Sequence, residues 1–412
     1  MAVLEIDLLR TVVGISVLVF VARTLASVCL RLKVPEVIGE VTAGIVVGPF
    51  ALGGVIRLFN GPLVASDDEL LQAFALIGGM IILFAAGLEF TFAEFRASGL
   101  PSFVVGALGV GIPFALGYWV PLIFGFPWQT AMLVGATLTA TSIALTVRTL
   151  EELNQIRSEE ARIMVNAAVI DDVLGLAVFA VIISIFQLGV VPSASEILFK
   201  VVQVTILWFS LLIVAVVLIP RFIKLAARWP AQGSVEAGAT AACFGSAAAA
   251  AGIGLSPVVG AFAAGMALAE SHLIGKVKEY VEKLKLIFAP LFFAVVGTFL
   301  DPSKIVNVSL GLFLVLVSVA IISKVVACGV PAGYFLKDAD RGLRVGIGMA
   351  SRGEVGFVIA ALGLTSGVIL EDVYAALVAV ILATTLFSPI LLRRTFRAPI
   401  IGNGRLKRIF SK

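Results

Sequence analysis

The sequence predicts an all-α, polytopic membrane protein, and three observations carry that prediction. Of its 412 residues 60% are apolar and only 14% charged, with a mean hydropathy of +1.12; soluble domains carry charge on about a quarter of their residues. The apolar residues fall in long uncharged stretches, and a bilayer core takes about 20 of them per helical crossing. Stretches such as Leu211 to Ile219 are apolar on every side, where a membrane barrel would alternate with period two. Little chain is left for an aqueous domain, so an enzyme built on one is not expected. One histidine, His272, and three scattered cysteines, Cys29, Cys243 and Cys328, are too few for a His/Cys metal cage, a haem attachment site or a disulfide framework. No cofactor is expected.

Taken in chain order, the apolar stretches place thirteen spans at about 8–30, 35–57, 69–89, 99–124, 128–150, 160–187, 197–220, 233–253, 256–274, 286–300, 306–336, 342–366 and 372–392. The first is too long for a signal peptide and lacks a small-residue cleavage site, so it reads as a retained helix. Gly44 and Gly48 in the second, and Ala247 to Ala251 in the eighth, fit close helix packing. Gly252-Ile253-Gly254 lacks the third glycine and the preceding strand of a dinucleotide fingerprint. The spans make one transmembrane unit, 1–395, followed by a short basic cytoplasmic tail, 396–412.

Lys and Arg set the orientation. With the first loop cytoplasmic, that side collects twenty-three of the thirty basic residues, from Arg31 and Lys33 through Arg148, Arg157, Lys276 to Lys285 and Arg341 to the tail. The opposite side receives Arg10, Arg57, Lys200 and Lys304. The N-terminus is therefore expected outside and the C-terminus inside, as an odd number of spans requires. The net charge of +4 is spread over every cytoplasmic loop, so membrane lipid is expected around the chain and nucleic acid is not a partner.

Ionisable groups at bilayer depth cost about 3 kcal/mol or more on insertion scales and so mark function. The remainder after sorting is Arg23, Glu40, Asp171, Asp172, Lys324, Arg352 and Glu354; Glu89, Glu236 and Glu270 lie near enough to span ends to reach water. Asp171 and Asp172 sit near the middle of the sixth span. Neighbouring helical positions point about 100° apart, so one carboxylate can face an aqueous cavity while the other meets a neighbouring helix. Carboxylates deprived of hydration bind protons readily, and a cation entering such a site competes with them; that competition is the physical core of proton/cation exchange. Lys324, mid-span in the eleventh helix, calls for a carboxylate partner, and either aspartate serves. Glu40, in the second span, reads equally as a gate or as a packing contact.

Polar residues interrupt two spans. The fifth carries Thr139-Ala140-Thr141-Ser142-Ile143 and the twelfth carries Gly346-Ile347-Gly348-Met349-Ala350-Ser351-Arg352-Gly353-Glu354. The two lie seven spans apart and so run in opposite senses, as inverted repeats with broken helices crossing at a midplane site require. Unwound carbonyls there can ligate a cation, and Arg352 and Glu354 can compensate the facing half-helix dipoles. Against this, Ser and Thr in membrane helices often bond to their own backbone, a reading that applies to Thr141 and Ser142.

These residues resemble the cation/proton antiporter family, in its branch with two consecutive aspartates. The resemblance covers nearly the whole chain and rests on Ile170-Asp171-Asp172 and Lys324, with support from Val34-Pro35-Glu36-Val37-Ile38-Gly39, Gly48-Pro49, Gly87-Leu88-Glu89, Thr141-Ser142 and Ser351-Arg352-Gly353-Glu354. It implies that Asp172 carries ion and proton, that Asp171 pairs with Lys324 in electrogenic exchange of two protons per sodium, and that Thr141 and Ser142 are ion ligands. It further implies a core of crossed broken helices, a dimerisation domain, a homodimer and an elevator-like movement. Asn166 falls where relatives carry polar or acidic residues. Relatives that exchange potassium under nucleotide or glutathione control often add a soluble C-terminal domain, whereas here the sequence stops about twenty residues after the last span, so gating by such a domain is not expected. The expected activity is exchange of sodium, or lithium, for protons across the cell membrane, with Na+ held by Asp171 and Asp172. The competing readings are a potassium/proton antiporter of the same fold, a sodium-coupled organic-anion symporter, and a channel or sensor.

Overall fold

The computed structural model describes residues 2–32, 34–58, 61–65, 68–93, 98–188, 194–299, 301, 310–365 and 367–397. Lys33, Arg96, Lys304 and the tail beyond Arg397 lie outside the described residues. The described chain is almost entirely helical. Its helices are α1 (Ala2–Arg31), α2 (Glu36–Val47), α3 (Leu52–Val55), α4 (Glu69–Gly87), α5 (Gly99–Ile123), α6 (Trp128–Thr137), α7 (Ile143–Glu152), α8 (Glu159–Leu188) and α9 (Ala194–Ala226). They continue with α10 (Ser234–Gly252), α11 (Pro257–Leu268), α12 (Ile274–Thr298), α13 (Leu310–Leu336), α14 (Ala339–Gly348), α15 (Glu354–Thr365) and α16 (Glu371–Arg397). Among the described residues, seven helices are long and apolar enough to cross a membrane.

Local chemistry sets the boundaries. Asp68 caps α4 by accepting from the Leu71 amide at 3.0 Å, and Asp338 caps α14 by accepting from Asp340 and Arg341. Left-handed residues, Asn154 (φ 55°) and Lys337 (φ 53°), reverse the chain after α7 and α13. Pro257 opens α11, where its missing N–H would have had no helical partner.

Three sequence expectations need correction. The second span does not run helically to residue 57: α2 ends at Val47, because Pro49 drives Gly48 into an extended conformation (ψ 174°). Beyond Pro49 come the short α3 and a two-stranded antiparallel ribbon, β1 (Arg57–Leu58) with β2 (Gly61–Pro62), a local departure within a mostly helical chain. The helix that carries the tenth expected span begins at Ile274, twelve residues earlier than residue 286. Its charged turns stay helical through pairs one turn apart, Lys283 with Glu279 at 2.7 Å and Lys285 with Glu282 at 3.0 Å. Lys285 and Arg148 are also not solvated loop charges: both lie on helices, Lys285 buried and Arg148 17% exposed.

Packing sorts the helices into two groups. In the first, α1, α2, α4, α10, α11 and α12 contact one another; in the second, α5, α6, α8, α13, α14, α15 and α16 do. The long α9 touches α8 on one side and α10 and α11 on the other. The half-helix α7 packs on α8 and α16 yet also reaches α2 and α4. Small residues bring backbones together where the first group is tightest. A Cβ on Gly44 would collide with the Ala294 carbonyl, and one on Gly297 with the Val41 carbonyl. Gly44→Val is therefore expected to lower stability by about 1–3 kcal/mol through overpacking, read as a lower unfolding midpoint of the detergent-solubilised protein. The alanine run of α10 is packed on one face only: Ala247 and Ala250 are buried, whereas Ala248, Ala249 and Ala251 are exposed.

Candidate functional site

Both interrupted spans are broken helices. Residues 138–142 separate α6 from α7, and residues 349–353 separate α14 from α15. Ser142 caps α7, its Oγ accepting from the Leu145 amide at 3.4 Å. The two breaks bind each other directly. The Ser142 amide donates to the Ser351 carbonyl at 3.0 Å, and the Thr146 hydroxyl donates to the Gly348 carbonyl at 2.8 Å. Thr146 and Ser351 hydroxyls are 3.2 Å apart. A Cβ on Gly353 would lie only 2.9 Å from that of Ser142, so the approach depends on glycine.

Opposed half-helices bring like dipole ends together, and the C-terminal ends need positive charge. Arg352, fully buried, supplies it: Nη1 donates to the Ala140 carbonyl at 3.1 Å and Nη2 to the Ala320 carbonyl at 3.0 Å. Thr385 of α16 anchors this arginine by donating to its carbonyl at 2.9 Å. Of the two residues expected to compensate the dipoles, Arg352 reaches a carbonyl of the first break and one of α13. Glu354 opens α15, and its side chain lies outside the described residues.

One turn beyond Ala320, Lys324 reaches the same crossing. Its Nζ donates to Asp171 Oδ1 at 2.7 Å and to the Thr141 hydroxyl at 2.7 Å, with lysine and aspartate 0% and 1% exposed. Of the two aspartates, Asp171 is therefore the lysine's partner. Its second oxygen, Oδ2, has no hydrogen-bond partner among the described residues. α5 closes over the pair, since a Cβ on Gly109 would lie 3.5 Å from Nζ and 3.7 Å from Oδ1. Asp172, the next residue of α8, is buried at 9% exposure. Thr141 is spent on the lysine rather than on its own helix, whereas Ser142 acts as a helix cap.

Two candidates stand elsewhere. Asn166 is fully buried and donates to the Ser98 hydroxyl at 2.6 Å, tying α8 to the start of α5. Glu40 lies one turn into α2, beside Arg23 and Arg148 at 3.8 and 3.7 Å, and Arg23 is 40% exposed. Glu89, just past α4, pairs with Arg157 at 3.0 Å and Lys278 at 2.8 Å. Burial pushes its carboxyl up, but the two cations outweigh that and hold it below the ordinary carboxylate range. Sequence reasoning does not single out Thr146, Gly109 or Thr385. Thr146 has a signal, a fourth hydroxyl one turn beyond Ser142 in an interrupted span; the other two have none.

Crossed broken helices that hold a buried lysine–aspartate pair beside a second aspartate, within a multi-pass bundle, are the architecture of a secondary ion transporter. The family model described as "Sodium/hydrogen exchanger, transmembrane" matches residues 16–398, and the chain belongs to that family. It is 31% identical to the Na+/H+-K+ antiporter GerN of Bacillus cereus over 93% of this chain and 96% of the relative. It is 32% identical to the high-affinity Na+/H+ antiporter NhaS3 of Synechocystis, over 92% and 88%. Among solved structures, the sodium proton antiporter MjNhaP1 of Methanocaldococcus jannaschii has the same fold, with a TM-score of 0.69 at 16% identity over 95% of this chain and 97% of that one.

Proposed function

We propose that the protein exchanges sodium for protons, with Asp172 alternately binding the cation and a proton. The observation that carries this reading is the Lys324–Asp171 pair at 2.7 Å, dry, shared with Thr141 and adjacent to Asp172 at the crossing of the breaks. A cation drawn to Asp172 competes with Lys324 for Asp171, whose Oδ2 is unclaimed among the described residues. Loss of the ion pair releases a second proton from the lysine. Lys324, Arg352, Asp171 and Asp172 sum to zero charge, so a bound cation must be balanced by proton release. Two protons per sodium move one net charge per cycle, and the membrane potential then adds about 2.3 kcal/mol per 100 mV. Thr141, bonded to Lys324 at 2.7 Å, is a further ligand in this reading, and Ser142 shapes the site as the α7 cap.

The packing groups fit the same reading. α5 to α8 and α13 to α16 repeat one pattern, a helix, a broken helix and a helix, in inverted sense, and form the moving core; α1, α2, α4 and α10 to α12 form the scaffold of a homodimer. Thirteen spans across the cell membrane, in one unit over 1–395 with the N-terminus outside and the tail 396–412 inside, complete the arrangement. Everted vesicles energised by respiration are expected to lose their pH gradient on addition of sodium, and lithium serves as a second substrate. GerN carries potassium as well as sodium in its name, so potassium is the comparison ion: a response to potassium alone overturns the sodium assignment. An organic-anion symporter would take up labelled solute without a sodium-driven pH change. Both terminal nitrogens of Arg352 are committed to carbonyls, which argues against an anion site there.

A further inference from the structure

Three hydroxyls line the first break, and two of them are taken. Thr141 accepts from Lys324 at 2.7 Å and donates to the Met349 carbonyl at 3.5 Å. Ser142 Oγ accepts from the Leu145 amide at 3.4 Å. The Ala140 carbonyl is occupied as well, by Arg352 at 3.1 Å. Thr139 differs. It is 1% exposed, its hydroxyl spends its one hydrogen on the Ala136 carbonyl at 2.7 Å, and among the described residues no donor reaches its oxygen. A hydroxyl in that state can act only as an acceptor.

A glycine of α8 faces that oxygen. A Cβ on the buried Gly175 would lie 3.8 Å from Thr139 Oγ1 and within 4 Å of no other heavy atom among the described residues. The glycines of α5 at the same crossing are tight by comparison: a Cβ on Gly106 would meet the Ala167 carbonyl at 2.8 Å, and one on Gly109 would meet Cys328 Sγ at 2.9 Å. Gly175 therefore serves no close helix contact; it leaves space in front of a hydroxyl oxygen. It stands one turn beyond Asp171 on the same face of α8, and three residues beyond Asp172. Thr141 is level with Asp171, through Lys324, and Thr139 is level with Gly175, about 6 Å farther along the α8 axis. In the proposed orientation α8 runs outward, so the space lies on the outer side of Asp172.

Hard cations are held by oxygen atoms, and the size and rigidity of the cage decide which cation fits. Thr141 binds a cation only by giving up the lysine. Thr139 offers its oxygen with the Lys324–Asp171 pair intact. We propose that the Thr139 hydroxyl is a ligand for the transported cation, bound in the space left by Gly175, and that the width of this space discriminates among alkali cations by size. The effect on exchange rests on the proposed sodium/proton reaction; the effect on cation affinity does not.

The test compares wild type, Thr139→Val, Thr139→Ser and Gly175→Ala as full-length proteins, by binding of radiolabelled sodium to the purified protein and by sodium- and lithium-driven exchange in everted vesicles. Thr139→Val keeps the side chain's shape and drops its oxygen. It is expected to weaken sodium binding and raise the half-saturating sodium concentration several-fold with little change in maximal rate, the mark of a lost binding contact. Its unfolding midpoint should stay close to wild type, because the Ala136 carbonyl still accepts from the Thr139 amide at 3.0 Å. Thr139→Ser is expected to restore the sodium affinity. Gly175→Ala, which places a methyl group in the space, is expected to weaken sodium several-fold and the smaller lithium less. Wild-type sodium affinity in Thr139→Val, by both measurements, overturns the inference; equal losses for sodium and lithium in Gly175→Ala overturn the discrimination by size. Wild-type protein that binds sodium, loses affinity on Thr139→Val and yet gives no sodium-driven pH response overturns the exchange reading and leaves the ligand standing.

Discussion

Asp172→Asn is expected to abolish sodium-driven proton movement in everted vesicles while leaving the protein folded in the membrane. The amide keeps the volume and most of the hydrogen-bonding geometry of the carboxylate, but it neither carries negative charge nor exchanges a proton near neutral pH. In the proposed exchange sodium then loses its charged ligand and the proton its carrier, so both halves of the cycle stop together. The Lys324–Asp171 pair, held between α13 and α8 and flanked by Thr141, does not depend on Asp172 and should persist. The expected readings are a pH response at background and an unfolding midpoint close to wild type. A variant that still exchanges sodium for protons removes Asp172 from the mechanism.

Lys324→Met is expected to have the largest effect on stability. The lysine is 0% exposed and Asp171 1%, so the substitution strands a carboxylate in a dry site. Breaking a buried pair by removing one partner costs about 3–5 kcal/mol, because the remaining charge is uncompensated. Arg352 stays committed to Ala140 and Ala320 and does not replace the lost contact. Asp171→Asn in the Lys324→Met background removes the stranded charge, so the double variant should recover most of the loss, a strong coupling between the two positions. Thermal unfolding of the two single variants and the double variant measures this cycle. Where the double variant folds and transports, the loss of the lysine proton leaves one proton per sodium, and charge movement on a solid-supported membrane should vanish while the pH response remains. Additive losses would show that the pair is not an energetic unit.

The breaks are legible because membrane helices seldom gather Thr, Ser, Gly and charge in mid-span; Thr139 to Ile143 and Gly346 to Glu354 therefore stand out against their apolar flanks, and the helix ends fall within or beside these runs, at Thr137 and Ile143 and at Gly348 and Glu354. The partners of Glu40 are not legible for a related reason. Its flanks are apolar on both sides, and hydropathy alone does not register that Gly48-Pro49 ends the helix early or that Arg148, more than a hundred residues away, turns back to meet it. Lys285 reads as a loop charge because its surroundings in sequence are charged, yet those charges pair along the helix and with Glu151.

By itself the sequence determined the membrane-embedded helical class, the two interruptions and the short roster of charged groups at depth, with Asp171, Asp172 and Lys324 at its head. These follow from local composition, since each residue's transfer cost into a bilayer is felt within its own span. Only the tertiary structure decided which aspartate the lysine holds, that Arg352 serves two carbonyls from different helices, that Thr141 belongs to the ion pair and Ser142 to a cap, and that Glu40 joins a separate cluster. Each of those outcomes depends on contacts of about 3–4 Å between residues far apart in the chain, and electrostatic and hydrogen-bond energies at that range change sharply with ångström-scale placement.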